Sequence, residues 1–207
     1  MNQKCIDMAD NIADRLQISP ALYQAFCEVD REIFVEISSN AFNLQPQIIA
    51  ANQWVSSPLT VAKMTMLLEL EGVDKILEIG CGVGYQAAIL SKIVRRVFTI
   101  ERIERLANQA KNNFKKSQIS NINIRFDDGL NGWKSFAPFD RILFSACAKE
   151  IPNNLFNDLA ENGILVTPMQ KKDKQIIVKF RKSGGKISQE IIEECEFVPI
   201  LNGIEKL

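Results

Sequence analysis

Residues 75–101 read KILEIGCGVGYQAAILSKIVRRVFTIE, and this run decides the fold. Lys75–Ile79 is a short apolar strand ending in glycines, Tyr85–Val94 a helix, and Arg96–Ile100 a second strand. That succession makes a βαβ unit, with a right-handed crossover and parallel strands. The alternation continues: a polar-faced helix from Ile103 to about Lys116, strands at Ile122–Phe126 and Arg141–Ser145, a helix near Asn153–Leu159, and a strand at Ile164–Thr167. Gln175–Phe180 and Lys186–Ile192 then flank Ser183-Gly184-Gly185, a hairpin signal. The pattern predicts an α/β fold: a doubly wound, mostly parallel sheet of seven-stranded type, helices on both faces, and antiparallel C-terminal strands.

Upstream of this core, Ile6, Ala9, Ile12, Ala13 and Leu16 recur at helical spacing. Ser19-Pro20 and Ser57-Pro58 each place an N-cap before a proline at the first helical position, opening helices through Leu22–Phe26 and Val61–Leu68. Residues 38–56 show no sustained period and read as a long ordered loop, of a kind that binds or covers something. No linker separates two domains. The expectation is one domain over 1–207, with a helical cap and substrate loop at 1–72 and the α/β core at 73–207.

The chain has 207 residues, 46% hydrophobic and 24% charged, a composition that supports a packed core. It has no histidine, which excludes Ser-His-Asp triads, Cys-His dyads and histidine-ligated zinc sites. Its 25 basic and 25 acidic residues balance, so nucleic acid is not the expected partner. The five cysteines are widely spaced without a CxxC, arguing against a disulfide framework and a metal site. No apolar run is long enough for a membrane span, and the N-terminus is neither a signal nor a transit segment, so no membrane partner and a reducing cytoplasm are expected. The basic stretch Lys171–Lys186 is followed by Glu190, Glu193, Glu194 and Glu196, which points to cross-strand ion pairs on a solvated face.

The chemistry starts at Glu78-Ile79-Gly80-Cys81-Gly82-Val83-Gly84-Tyr85. Glycines after a strand let a ligand approach the backbone, and the next helix N-terminus offers unpaired N–H groups to a carboxylate or phosphate. Glu101, at the tip of the second strand, is placed to accept two ribose hydroxyls. Gly82-x-Gly84-x-x-Ala87 satisfies a dinucleotide pattern, but begins two residues late. Read from Gly80 the spacing is GxGxG with an acid two residues before it, the arrangement of S-adenosylmethionine (SAM) sites. Asp127-Asp128-Gly129 follows the third strand, where adenine would lie. Asp128 is a candidate for its exocyclic amine, and Gly129 for close approach of the ring. Cys81 is expected to be a small filler in this loop.

These residues carry a family resemblance. LEIGCGVGYQAAILSKIVRRVFTIERI, FDDGLNGW and APFDRILFSACAKEIP, with AFCEVDREIFV and WVSSPLTVAKMTMLLEL upstream and FVPILNG downstream, resemble the protein-L-isoaspartate O-methyltransferases, within the Rossmann-like SAM-dependent methyltransferases. The resemblance spans roughly residues 5–203. It implies SAM as cofactor and methyl transfer to the α-carboxylate of L-isoaspartyl residues in damaged proteins or peptides. The ester then closes to a succinimide, whose hydrolysis returns some aspartate. It implies a cofactor site of Glu78, Gly80, Cys81, Gly82, Gly84, Tyr85, Glu101, Arg102, Asp128 and Gly129. The serine treated as the family's active-site residue corresponds to Ser56, expected to orient the acceptor carboxylate. Gln53, Val55, Ser57, Val198 and Pro199 are expected on the substrate side.

The departures from the family pattern lie in one place. Where the family reads close to Asp-x-Pro-Leu-Pro-Ile-Gly-x-Gly-Gln-Thr-Ile-Ser-x-Pro, this chain has Leu44-Gln45-Pro46-Gln47-Ile48-Ile49-Ala50-Ala51-Asn52-Gln53-Trp54-Val55-Ser56-Ser57-Pro58. Ala50 and Asn52 replace two glycines, and Trp54 replaces the threonine. A SAM methyltransferase with another acceptor, or a SAM-binding protein without turnover, are the alternatives this loop raises. A monomer is the expected state.

Overall fold

The computed structural model describes residues 2–206. Three helices precede the sheet: α1 (Gln3–Ala13), α2 (Pro20–Glu28) and α3 (Pro58–Leu67). Ser19 and Ser57 cap α2 and α3 as expected, their hydroxyls accepting from Leu22 N at 3.3 Å and Thr60 N at 3.0 Å. The chain between α2 and α3, read as an ordered loop without regular elements over 38–56, contains regular structure. Short 3-10 turns at Arg31–Phe34 and Ser38–Asn40 lead into an antiparallel hairpin of β1 (Gln47–Ile49) and β2 (Gln53–Val55). Two strands of three residues are too short for alternation to register as a period.

The core strands are β3 (Lys75–Ile79), β4 (Arg96–Glu101), β5 (Ile122–Phe126), β6 (Phe139–Phe144), β7 (Leu159–Lys171), β8 (Lys174–Ser183) and β9 (Lys186–Cys195). They form one sheet in the order β5-β4-β3-β6-β7-β8-β9. Pairs from β5 to β7 are parallel, and β7-β8-β9 is antiparallel. The helices between strands are α4 (Tyr85–Ser91), α5 (Glu104–Lys116) and α6 (Asn153–Asp158). Strand order reverses beside β3, which opens a crevice at the carboxyl ends of β3, β4 and β6.

Residues 76–79 of β3 are all buried, as a strand covered on both faces requires. One face packs Met8, Ile12, Phe26, Leu68 and Tyr85 with Ile76 and Val97, so the N-terminal helices share the core of the sheet. The other face packs Leu77, Phe98, Phe139 and Phe144 against Leu155 and Leu165.

Several expectations change, among them the strand read as Arg141–Ser145, which is β6 over Phe139–Phe144. The strand read as Ile164–Thr167 is β7, running from Leu159 to Lys171, because it pairs β6 with its first half and β8 with its second. The helix read as Tyr85–Val94 ends at Ser91. The expected hairpin forms at β8–β9, with Gly184 and Gly185 both at positive φ. Its basic residues pair less locally than expected. Lys174 meets Glu194 across the ladder, whereas Lys179 and Arg181 both reach Glu69, just past the end of α3. Among the described residues no helix is long and apolar enough to cross a membrane.

Candidate active site

The crevice is floored by the glycine loop. Gly80, Gly82 and Gly84 all have positive φ, at 86°, 54° and 94°, which turns the chain from β3 into α4. Gly84 serves packing: a Cβ there would lie 2.5 Å from the Phe114 ring. It caps α4 and does not line the crevice. Gly129 is tight for the same reason, since its Cβ would meet Ile79 at 2.4 Å, which draws the turn after β5 against the end of β3.

Two buried carboxylates stand at the strand ends. Glu101, closing β4, accepts from Gly82 N at 2.8 Å through Oε2 and from Ile103 N at 2.9 Å through Oε1. Burial pushes its pKa up, against those N–H groups, which favour the anion. A carboxylate has about four lone-pair positions, so two remain for a diol. Glu78, one strand over on β3, is fully buried and accepts from Thr99 Oγ1 at 2.8 Å and Ser145 Oγ at 3.0 Å. Burial raises it to about 7, more than those two hydroxyls lower it, and the charge of Glu101 adds to the rise. Cys81 is buried and its thiol is pushed well up, first by burial and then by the two carboxylates, so it is a neutral filler.

The hairpin and the C-terminal segment form the upper walls. Ile49 packs over Gly82, 3.7 Å from the position a Cβ would take. Segment 197–205 straps across the strand ends. Val198 O and Ile200 N bond Cys147 at 2.8 Å each, and Gly203 N donates to Asp128 Oδ2 at 2.7 Å. Arg102 Nε donates to Gly203 O at 2.9 Å, and its Nη1 meets Glu205 at 3.0 Å.

Most residues expected at the site converge on this crevice. Gln53, Val55, Ser56, Glu78, Gly80, Cys81, Gly82, Tyr85, Glu101, Arg102, Gly129, Val198 and Pro199 all line it. Three expected residues do not. Gly84 lies behind the loop. Asp128 caps the 3-10 turn after β5, accepting from Leu130 N at 2.9 Å, and holds the strap with its other oxygen. Ser57 is committed to capping α3, its hydroxyl also lying 2.9 Å from Thr60 Oγ1. Ser56 contrasts with it: among the described residues its hydroxyl has no hydrogen-bond partner, and it stands on the wall.

The sequence reading missed Arg31. Its side chain is fully buried and among the described residues pairs with no carboxylate. Nη1 donates to Ala41 O at 2.6 Å and Asn43 O at 3.2 Å, Nη2 to Gln45 O at 3.3 Å and Ser56 O at 3.1 Å. The guanidinium lies 5.3 Å from the centre of the Tyr85 ring. Its partners are backbone carbonyls, which leave no mark in the side-chain pattern. Trp54, Thr60, Gln86 and Ser145 on the walls were missed as well.

These features suit SAM: backbone approachable at glycines, a buried carboxylate with capacity for a diol, and a second acid beside a loop at a helix N-terminus.

Comparison with known proteins gives one answer at several levels. The family model described as protein-L-isoaspartate(D-aspartate) O-methyltransferase matches residues 2–205. A protein-L-isoaspartate O-methyltransferase of Helicobacter pylori strain G27 is 46% identical over 201 residues, covering 96% of each chain. One from Shewanella sp. strain ANA-3 is 36% identical over 209 residues, covering 98% of this chain and 99% of its own. Among solved structures, a Plasmodium falciparum protein of that description, in complex with S-adenosyl-L-homocysteine, superposes with a TM-score of 0.86 at 23% identity, over 95% of this chain and 97% of that one. At that identity the likeness is one of fold.

Proposed function

The chain belongs to the protein-L-isoaspartate(D-aspartate) O-methyltransferase family, and from that premise we propose how its residues divide the work. The protein is a SAM-dependent methyltransferase acting on L-isoaspartyl residues of damaged proteins. When bound, SAM would supply a methyl group on a sulfonium, whose sulfur is a good leaving group because it becomes a neutral thioether.

The acceptor needs no general base. A carboxylate with a pKa near about 4 is already ionised at neutral pH, which accounts for an active site without histidine. The protein's task is to hold that oxygen in line and to exclude water. Glu101 would hold the ribose hydroxyls through the lone pairs that Gly82 N and Ile103 N leave open. The N–H groups of the glycine loop and the start of α4 would hold the amino-acid end of the cofactor, with Glu78 beside them. Gly129, drawn against Ile79, would place the turn after β5 where the adenine end of the cofactor would be held, and Arg102 and Asp128 anchor the strap beside it.

Ser56 donates its hydroxyl to the acceptor carboxylate. The observation that carries this is the contrast between adjacent serines: Ser57 is committed to Thr60, and Ser56 is uncommitted at the wall. Gln53, Val55, Val198 and Pro199 line the substrate side. The test is transfer of labelled methyl from SAM to an isoaspartyl peptide, with its aspartyl isomer as control. Equal labelling of both isomers, or of neither, would overturn the reading.

A further inference from the structure

An isoaspartyl carboxylate belongs to a polypeptide, so chain flanking it must leave the crevice over the rim. That rim is apolar where this sequence departs from its family. Trp54, at the position of the family's threonine, lines the crevice two residues before Ser56 and is 50% exposed. Ile48 sits directly opposite Trp54 in the β1–β2 ladder, hence on the same face, and is also 50% exposed. Leu201, on the strap, lines the crevice and is 52% exposed. The other face of the hairpin is ordinary core, with Ile49 and Val55 buried. Folding therefore uses one face of the hairpin and leaves a large ring on the other, beside the acceptor position.

We propose that Trp54, with Ile48 and Leu201, forms an apolar subsite for a branched aliphatic or aromatic side chain next to the isoaspartyl residue, and so selects among damaged sites. The register follows from extended-chain geometry. Residues along a strand are about 3.3 Å apart, so Trp54 lies roughly 7 Å along the chain from Ser56. The same span in an extended substrate reaches a side chain one or two positions from the isoaspartyl residue. The subsite rests on the assignment of Ser56 to the acceptor carboxylate.

The experiment uses isoaspartyl peptides of one sequence, varied to Leu, Phe, Gly or Glu at each of the two positions on either side. The readout is kcat/KM with SAM. The wild-type protein should favour Leu and Phe over Gly by roughly five- to thirtyfold at one of these positions, as partial burial of one apolar side chain implies. Trp54→Thr should compress that ratio below about threefold, and Leu201→Ser should lower it in the same direction. Each ratio compares two peptides on one preparation, so the folded fraction cancels. A wild-type protein that methylates every peptide equally, or a Trp54→Thr variant that keeps the full preference, overturns the subsite alone. A wild-type protein that binds S-adenosylhomocysteine but methylates none of the peptides overturns the acceptor assignment, and the subsite with it.

Discussion

Arg31 Nη2 donates to the backbone carbonyl of Ser56 at 3.1 Å, across 25 residues of chain. The same guanidinium holds three other carbonyls between Ala41 and Gln45 and lies over Tyr85, at the start of α4. One buried cation therefore joins the loop that carries Ser56 to the helix that follows the glycine loop. Among the described residues no carboxylate pairs with it, and burial lowers its pKa.

Replacing Arg31 with Met should cost about 3 kcal/mol of stability, because several buried carbonyls lose their donor together. Arg31→Lys keeps the charge but not the fork, and should recover only part of this. In the Lys variant, KM for an isoaspartyl peptide should rise more than the Kd for S-adenosylhomocysteine. Calorimetry and steady-state kinetics on both variants check this. Equal weakening of both ligands would mean that Arg31 acts on the fold as a whole.

Ser56→Ala should lower methyl transfer roughly five- to a hundredfold, as expected for one orienting hydrogen bond of about 1–3 kcal/mol. SAM affinity and melting temperature should hardly move. Ser57→Ala should do the reverse, losing about 1 kcal/mol of stability with its N-cap and keeping most activity. Initial rates and thermal midpoints for the pair decide between them, and an active but early-melting Ser56→Ala protein would reverse the assignment.

Glu101→Ala should weaken SAM binding by about 1.5–3 kcal/mol through loss of charge-assisted hydrogen bonds. It also frees Gly82 N and Ile103 N, which the carboxylate now holds. Titration calorimetry with S-adenosylhomocysteine is the measurement. Wild-type affinity in the variant would remove Glu101 from the cofactor site.

Glu78 makes stability depend on pH near neutrality. Its pKa rises from 4.5 to about 7 on folding, so the folded state holds a proton that the unfolded chain has lost. The burial penalty is absent below about pH 4.5, grows as pH rises towards 7, and is complete above that, at roughly 3 kcal/mol. Glu78→Gln lacks this titration. The stability difference between variant and wild type should therefore move in the variant's favour between pH 4.5 and 7, then level off. Urea unfolding at a series of pH values measures it, and a flat difference would place the Glu78 pKa near its ordinary value.

Ala51 and Asn52 sit at the hairpin turn with φ of 58° and 52°. Asn tolerates the left-handed region, whereas alanine is strained there by roughly 1 kcal/mol. Ala51→Gly should raise stability by about 0.5–1 kcal/mol, or a few degrees in Tm. Scanning calorimetry checks it, and a lower Tm would mean that the turn relaxes in solution.

The altered loop shows what a departure from a family pattern means physically. Of the two positions where the family has glycine, Asn52 has positive φ and Ala50 does not. An asparagine therefore meets the backbone demand at one, and none exists at the other.

The sequence by itself determined what neighbours along the chain decide. β3, the glycine loop and α4 are contiguous, and their backbone needs and apolar runs lie within one short window. Ser19 and Ser57 cap helices beginning at the next residue. Glu101 ends the strand that pairs with β3, so its place at the crevice follows from βαβ geometry. The tertiary structure decided what distant segments do to one another. Asp128 looked free for adenine, but Gly203, 75 residues on, takes one of its oxygens. Arg31 grips carbonyls, which every residue carries, so no residue type marks its partners. Trp54 became a rim residue only when a hairpin too short to show a period turned that face outward beside Ser56. Strand, turn and cap signals are local side-chain chemistry and can be read in order. Backbone acceptors, short strands and the direction a face points are settled only when the chain closes on itself.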